Sequence, residues 1–320
     1  LRIVLTGAAG FIGFHLARRL LARGDVVIGV DDMNSYYDID LKSARAARLV
    51  EHPNFSLARL DVADVPALAD LAQGADAVIH LAAQAGVRHS LENPFAYQHA
   101  NLAGHLSVLE ACRHTSSVKH LVYASSSSVY GDRAAEGPFR EDDPADLPAS
   151  LYAATKRADE LMSIAYSQLY GLPQTGLRFF TVYGPWGRPD MAYFIFTRKI
   201  LAGEPISVFG QGRMARDFTY IDDIVDGVLG VLDRPAEAGE HRLFNIGAGR
   251  PEGLMRLIEL LEAALGRPAI KVFEPMQPGD VTATFADISR LAALTGYAPK
   301  TTLEAGLPRF ADWYRAFYEA

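Results

Sequence analysis

Short runs of β-branched and aliphatic residues alternate with longer stretches whose apolar positions recur every three or four residues. Ile3-Val4-Leu5-Thr6, Val26-Val27-Ile28-Gly29-Val30, Phe55-Ser56-Leu57, Ala77-Val78-Ile79-His80-Leu81 and His120-Leu121-Val122-Tyr123 predict strands. They are nearly continuous in apolar character, as a parallel sheet covered on both faces requires. Residues 14–23 and 101–114 predict intervening helices. In the first, Leu16, Leu20 and Leu21 form an apolar face while Arg18, Arg19 and Arg23 stay in water. Strand, helix, strand repeated in this order predicts an α/β fold with a doubly wound parallel sheet.

The pattern loosens after about Tyr183. Gly184-Pro185-Trp186-Gly187-Arg188-Pro189 is a loop by composition. Residues 192–201, 221–232, 254–265 and 303–318 predict further helices, and 242–246 another strand. We expect a dinucleotide-binding Rossmann domain over residues 1–182, with 220–248 returning to it. Residues 183–219 and 249–320 are expected to form a smaller, mixed α/β C-terminal substrate domain.

Composition narrows the function classes. Of 320 residues, 49% are hydrophobic and 22% charged, the balance of an ordinary globular protein. No apolar run reaches the roughly 20 residues that span a bilayer. The chain opens on Arg2-Ile3-Val4-Leu5 with no basic segment before an apolar one, which predicts an unsecreted, cytoplasmic protein. A net charge of -7 without a Lys/Arg stripe argues against nucleic acid as the main partner. Cys112 is the only cysteine, so no intrachain disulfide or cysteine zinc site can form, and it reads as a core residue. His80, His89, His99 and His105 are not spaced as a metal site, and no metal is expected.

Candidate chemistry begins after the first strand, with Gly7-Ala8-Ala9-Gly10-Phe11-Ile12-Gly13. Gly7 permits a tight turn, Gly10 lets the backbone approach a pyrophosphate, and Gly13 allows close helix–strand packing. The helix N-terminus then offers free N–H groups and a partial positive charge to phosphates. Asp31 ends the second strand, where a carboxylate accepts hydrogen bonds from ribose hydroxyls and repels a 2′-phosphate; this favours NAD over NADP. Asp61 and Val62 end the third strand near the expected adenine, and Asn34 and Lys42 are candidates in the loop after Asp31.

Tyr152 and Lys156 are four residues apart, hence on one face of a helix. A tyrosine hydroxyl ordinarily titrates near 10. A neighbouring ammonium favours the phenolate, which can remove a proton from a sugar hydroxyl as hydride leaves the same carbon. A serine of Ser125-Ser126-Ser127-Ser128, at the end of the fifth strand, can bridge substrate oxygen and tyrosine.

These motifs together resemble the extended short-chain dehydrogenases that act on nucleotide sugars. Within them the chain is similar to UDP-glucuronate 4-epimerases over nearly its full length. The carrying stretches are residues 81–88, 123–131 and 152–156, then Gly184 to Met191, Arg216 to Asp223, and Met276-Gln277-Pro278-Gly279-Asp280. The resemblance implies Tyr152 as base, Lys156 as its partner and Ser126 as the assisting hydroxyl. It implies NAD contacts from Phe11, Ile12, Leu81, Ala83, Gln84 and Asn101. It also implies UDP contacts from Arg216 and Asp280, with Gln277 where related UDP-glucose epimerases carry an arginine. The implied reaction is C4 epimerisation of UDP-glucuronate to UDP-galacturonate through a 4-keto sugar, by a homodimer. Arg188 is the expected carboxylate clamp, helped by Ser127, Ser128 and Thr181, with Arg88 as a second cation. An ion pair that steadies a loop is the other reading of either arginine. Ser127-Ser128 stand where related dehydratases and decarboxylases place acids, which favours epimerisation over both. A neutral UDP-hexose epimerase and a decarboxylase are the alternatives. A catalytically silent NAD-binding protein is a third, opposed by the presence of both Tyr152 and Lys156.

Overall fold

The computed structural model describes residues 1–132, 137–277 and 281–319. Its strands are β1 (Arg2–Thr6), β2 (Val26–Asp31), β3 (Phe55–Arg59), β4 (Ala77–His80), β5 (His120–Ser126), β6 (Gln174–Phe179), β7 (Thr181–Tyr183), β8 (Ile206–Val208), β9 (Ala215–Tyr220), β10 (His241–Ile246), β11 (Pro251–Gly253), β12 (Lys271–Phe273) and β13 (Ala283–Thr284). Seven strands make one parallel sheet in the order β10-β6-β5-β4-β1-β2-β3. The six predicted strands are all present in it, flanked by helices, as a Rossmann-type sheet requires.

The strand order reverses between β1 and β4, which opens a crevice at the carboxyl ends of the strands. The Gly7–Gly13 turn and the segment after His80 meet there. A Cβ on Gly7, whose φ is +73°, would lie 2.8 Å from the Ala82 nitrogen. Phe14, Leu16, Leu20 and Leu21 of helix Phe11–Arg23 are buried against the sheet. Cys112 is buried too, and burial pushes its thiol up to about 12, leaving it an inert core group.

β6 is buried along its whole length although only Leu177 and Phe179 are apolar and bulky. Its Arg178 meets Glu160 through two 2.8 Å bonds. Burial works against the Glu160 charge, but Arg178 outweighs it and holds that carboxyl below its usual range. One residue later the chain changes sheets. Phe180 separates β6 from β7, which pairs with β9 in a second sheet that also holds β11 and β13. β10 then returns to the first sheet beside β6. Among the described residues no helix is long and apolar enough to cross a membrane.

Candidate active site

A cavity of about 940 Å³ follows the crevice from the glycine turn to the second sheet. At one end the chain folds so tightly that side chains are excluded. A Cβ on Gly13 would lie 2.0 Å from the Gly7 carbonyl oxygen, and one on Gly10 2.9 Å from it. Helix Phe11–Arg23 has Gly10 at its N-cap and no side-chain cap, so its first turn presents backbone donors where Gly10, Phe11, Ile12 and Gly13 line the cavity.

Asp31 is buried at the end of β2. Its Oδ2 accepts from Ala9 N and its Oδ1 from Met33 N, both at 3.0 Å. Burial raises its pKa, and the two N–H donors and Lys42 work against that rise. Lys42 Nζ donates to the Asn34 carbonyl and to Asn34 Oδ1, so these two residues steady one wall together. Asp61 and Val62 line the far mouth. Burial acts to raise the Asp61 pKa, but the hydrogen bond to His99 Nε2 at 2.7 Å holds it below its usual value.

The same cavity is lined by Leu81, Ala83, Gln84, Ser126, Tyr152 and Lys156. Ser150 caps helix Leu151–Tyr170 through Ala153 N, which puts Tyr152 in its first turn. Among the described residues the Tyr152 hydroxyl makes no hydrogen bond; its ring meets Tyr97 edge-on at 6.1 Å. Lys156 Nζ is buried, 3.0 Å from both the Ala124 carbonyl and Asp159 Oδ2. Burial pushes Asp159 up to about 6, against the pull of Lys156. The serines separate cleanly. Ser125 Oγ donates to Glu160 at 2.6 Å, while Ser126 Oγ accepts from Ser128 N and Ser128 Oγ. Ser126 keeps its own hydroxyl proton for another acceptor.

Ser127, Ser128, Thr181 and Arg188 line the cavity beyond them. Arg188 forms a two-bond pair with Asp190: Nε to Oδ1 at 3.0 Å and Nη2 to Oδ2 at 2.5 Å. Burial works to raise the Asp190 pKa, and Arg188 more than offsets it. Arg88 stacks over Phe209 at 5.1 Å, and Arg216 lines the opposite wall with Nη1 2.8 Å from the Ala215 carbonyl.

Two expectations need correction. Asn101 does not line the cavity. Its Oδ1 accepts from Gln84 N at 2.8 Å, and its Nδ2 donates to the Gln84 carbonyl and to Thr155 Oγ1. It therefore ties the segment after β4 to the helix of Tyr152. Gln277 is half-buried but also outside the cavity wall. Trp186 packs on Phe14, Trp313 and Phe317 and does not line the cavity either. Asp280 lies outside the described residues.

The family profile described as Epimerase, NAD dependent epimerase/dehydratase family, matches residues 3–247. The chain belongs to that family. It is 47% identical over 337 residues to a probable UDP-glucuronate 4-epimerase of Rhizobium meliloti, covering 99% of this chain and 98% of that protein. UDP-glucuronate 4-epimerase 1 of Arabidopsis thaliana is 48% identical over 99% of this chain and 77% of its own length. A crystal structure of the UDP-glucuronic acid 4-epimerase of Bacillus cereus with UDP-glucuronic acid and NAD superposes with a TM-score of 0.93, at 36% identity, over 99% of this chain and 100% of that one.

For a member of this family, the residues missed in the sequence are those that act through shape. Tyr36 reaches Asp190 Oδ2 at 3.4 Å, and burial, with Asp190, pushes its hydroxyl up to about 12. A Cβ on Gly86, at φ +102°, would lie 2.3 Å from the Tyr36 oxygen. Gly86 thus makes room for Tyr36 beside the Arg188–Asp190 pair. Only the glycine gave any sign of this along the chain.

Proposed function

We propose that the chain interconverts UDP-glucuronate and UDP-galacturonate by reversible epimerisation at C4, with NAD held through the turnover. The observation that carries this reading is that one cavity brings together a dinucleotide cradle, Ser126, Tyr152 and Lys156, the three hydroxyls of Ser127, Ser128 and Thr181, and the Arg188 guanidinium. The relatives at 47% and 48% identity support it.

The residues present fit NAD. The turn in which a Cβ at Gly13 cannot be housed leaves backbone donors for a pyrophosphate. The Asp31 oxygens, each with one N–H bond, keep lone pairs for ribose hydroxyls. When bound, NAD supplies a reversible hydride acceptor, so the sugar is oxidised and reduced again with no net redox change. Tyr152 takes the C4 hydroxyl proton and later returns it. Ser126 donates its remaining proton to the same sugar oxygen, and Lys156, its Nζ held by the Ala124 carbonyl and Asp159, adds a cation to the same wall. Between these two proton transfers the keto sugar turns to present its other face.

A keto group at C4 makes a glucuronate a β-keto acid, which loses carbon dioxide when the carboxyl bond stands perpendicular to the carbonyl plane. Holding the carboxylate away from that orientation is the task we assign to Ser127, Ser128, Thr181 and Arg188. Asp190 occupies the Nε edge of Arg188, leaving Nη1 for a carboxylate. Arg216, with Asp280, is assigned to the nucleotide, and Arg88 to the sugar end. We read residues 1–182 with 220–248 as the cofactor unit, and 183–219 with 249–320 as the nucleotide-sugar unit. We also propose a homodimer through helices Gly104–Arg113 and Leu151–Tyr170, which leave Leu106, Leu161 and Leu169 exposed.

The test is product identification. Protein as purified, given UDP-glucuronate and no added NAD, is expected to form UDP-galacturonate, and the reverse reaction to reach the same ratio. A UDP-pentose with release of carbon dioxide would replace this reading by decarboxylation. Turnover confined to neutral UDP-hexoses would overturn the acidic-sugar assignment.

A further inference from the structure

Arg45, in helix Ile39–Val50, is fully buried and outside the cavity wall. No carboxylate pairs with it among the described residues. Its Nη1 donates to the Ala9 carbonyl at 3.0 Å and to the Tyr37 hydroxyl at 2.7 Å. Its Nη2 donates to the carbonyls of Trp186 at 2.6 Å and Gly187 at 3.1 Å. Its Nε has no partner. An enclosed guanidinium without a counter-charge is costly, so the contacts it makes call for an explanation beyond packing.

Those contacts join two functional segments. Ala9 lies inside the glycine turn of the cofactor cradle. Trp186 and Gly187 immediately precede Arg188. Trp186 holds φ +62°, a left-handed conformation that bulky side chains rarely adopt. The same loop is fixed from the cofactor side twice more. His15 Nε2 lies 2.9 Å from the Pro185 carbonyl, and burial pushes this imidazole down to about 4, so it donates as the neutral ring. The Arg48 guanidinium stacks 4.4 Å over the Trp186 ring.

We propose that Arg45 is a positioning residue for the sugar clamp: by gripping the carbonyls of Ala9, Trp186 and Gly187 in one planar fork, it sets Arg188 against the cofactor cradle. It acts through Arg188 and touches neither substrate nor cofactor. A planar guanidinium can reach both segments at once; a lysine ammonium, a single point on a flexible stem, cannot. The proposal rests on the reading of Arg188 as the carboxylate clamp.

Three quantities test it in wild type, Arg45→Lys and Arg45→Met: kcat/KM for UDP-glucuronate, the Kd for UDP, and NAD bound per chain. The expected loss in kcat/KM is about ten- to a hundred-fold, the scale of a small misplacement of a reacting or gripping group. UDP affinity and NAD content are expected to stay within about two-fold, since Arg45 does not line the cavity and Ala9 keeps its own N–H bond to Asp31 without it. In an Arg188→Ala background the Arg45→Lys penalty is expected to shrink below about two-fold, because residues acting through one another are not additive. Unchanged kcat/KM overturns the proposal. So does an equal penalty in both backgrounds, or a parallel fall of all three quantities. If neither Arg45 variant folds, the residue is structural only and the proposal fails. Absence of UDP-glucuronate turnover in the wild type is a different result, and it refutes the proposed function itself.

Discussion

At the scale of single residues, neighbouring hydroxyls in the serine run do different work. Ser125 is bonded to Glu160, which also binds Arg178 and Arg157. Ser126 faces the cavity with its proton uncommitted. Ser125→Ala is therefore expected to lower stability by about 1–3 kcal/mol, as removal of a partner from a buried charged acceptor does, and to leave kcat within a few-fold. Ser126→Ala is expected to lower kcat by about ten-fold or more, with little change in melting temperature. Thermal unfolding and steady-state kinetics on the two variants check this; a reversed pattern would move the assisting hydroxyl to Ser125. Arg188 shows the same division within one side chain. Its pairing with Asp190 is the loop-steadying contact, and the same side chain lines the cavity wall.

At the scale of elements, the glycine turn is the part most tightly prescribed. Gly13→Ala places a methyl group on a backbone oxygen that has no side-chain freedom to yield. The expected result is protein that unfolds at lower temperature and co-purifies with at least about ten-fold less NAD, the turn and the cradle being one structure. Gly253→Ala is the control: φ there is -71° and nothing lies within 4 Å of the added carbon. Ultraviolet absorbance of the denatured supernatant reads the nucleotide, and equal NAD in both variants would contradict the assignment. This element was legible in the sequence because glycine spacing reports backbone geometry directly. β6 was not. Gln174, Thr175, Gly176 and Arg178 interrupt its apolar run, yet all are buried. Gln174 Nε2 donates to the Ser163 carbonyl and Arg178 to Glu160, partners on helix Leu151–Tyr170 that the strand's own residues do not announce. Asn101 was misjudged for a related reason. It falls in a π-helical turn, Gln98–Ala103, within a stretch whose periodicity reads as ordinary helix. The short strands β7, β8, β11, β12 and β13 carry too few residues for alternation to declare them.

At the scale of the whole molecule, burial of histidine couples folding to pH. Burial pushes His15 and His241 down to about 4, and His80 and His120 down to about 3. An unfolded chain takes up these protons near 6.5, whereas the folded one refuses them. Stability is thus full above 6.5 and is lost as pH falls toward 4, by up to about 1.4 kcal/mol per pH unit for each histidine. Asp159 acts in the opposite sense. Its folded value of about 6 is raised, so its favourable contribution is present below the usual carboxylate range and is lost as pH rises through 6. Asp31, Glu141, Asp217 and Asp222, also raised by burial, act in the same sense as Asp159, but between 6.5 and 5 the four histidines dominate because their unfolded forms already take up protons at 6.5. Urea midpoints are expected to be flat above pH 7 and to fall steadily below 6.5; a midpoint that holds or rises down to pH 5 would contradict this balance. Sequence spacing gave the sheet, the cradle and the Tyr152–Lys156 pair because each depends on neighbours along the chain. Arg45, Tyr36 and Asp190 escaped notice because their meaning lies in contacts across 100 residues or more.

Transient oxidation at C4 inside a closed grip is the claim on which the account turns, and isotope tracing reaches it directly. UDP-glucuronate carrying deuterium at C4 is converted by the protein in ordinary water, and the UDP-galacturonate is read by proton NMR. Deuterium retained at C4, with ordinary hydrogen elsewhere and no pentose formed, is the predicted result. Loss of the label to solvent, or exchange at C5 in place of transfer at C4, would contradict it.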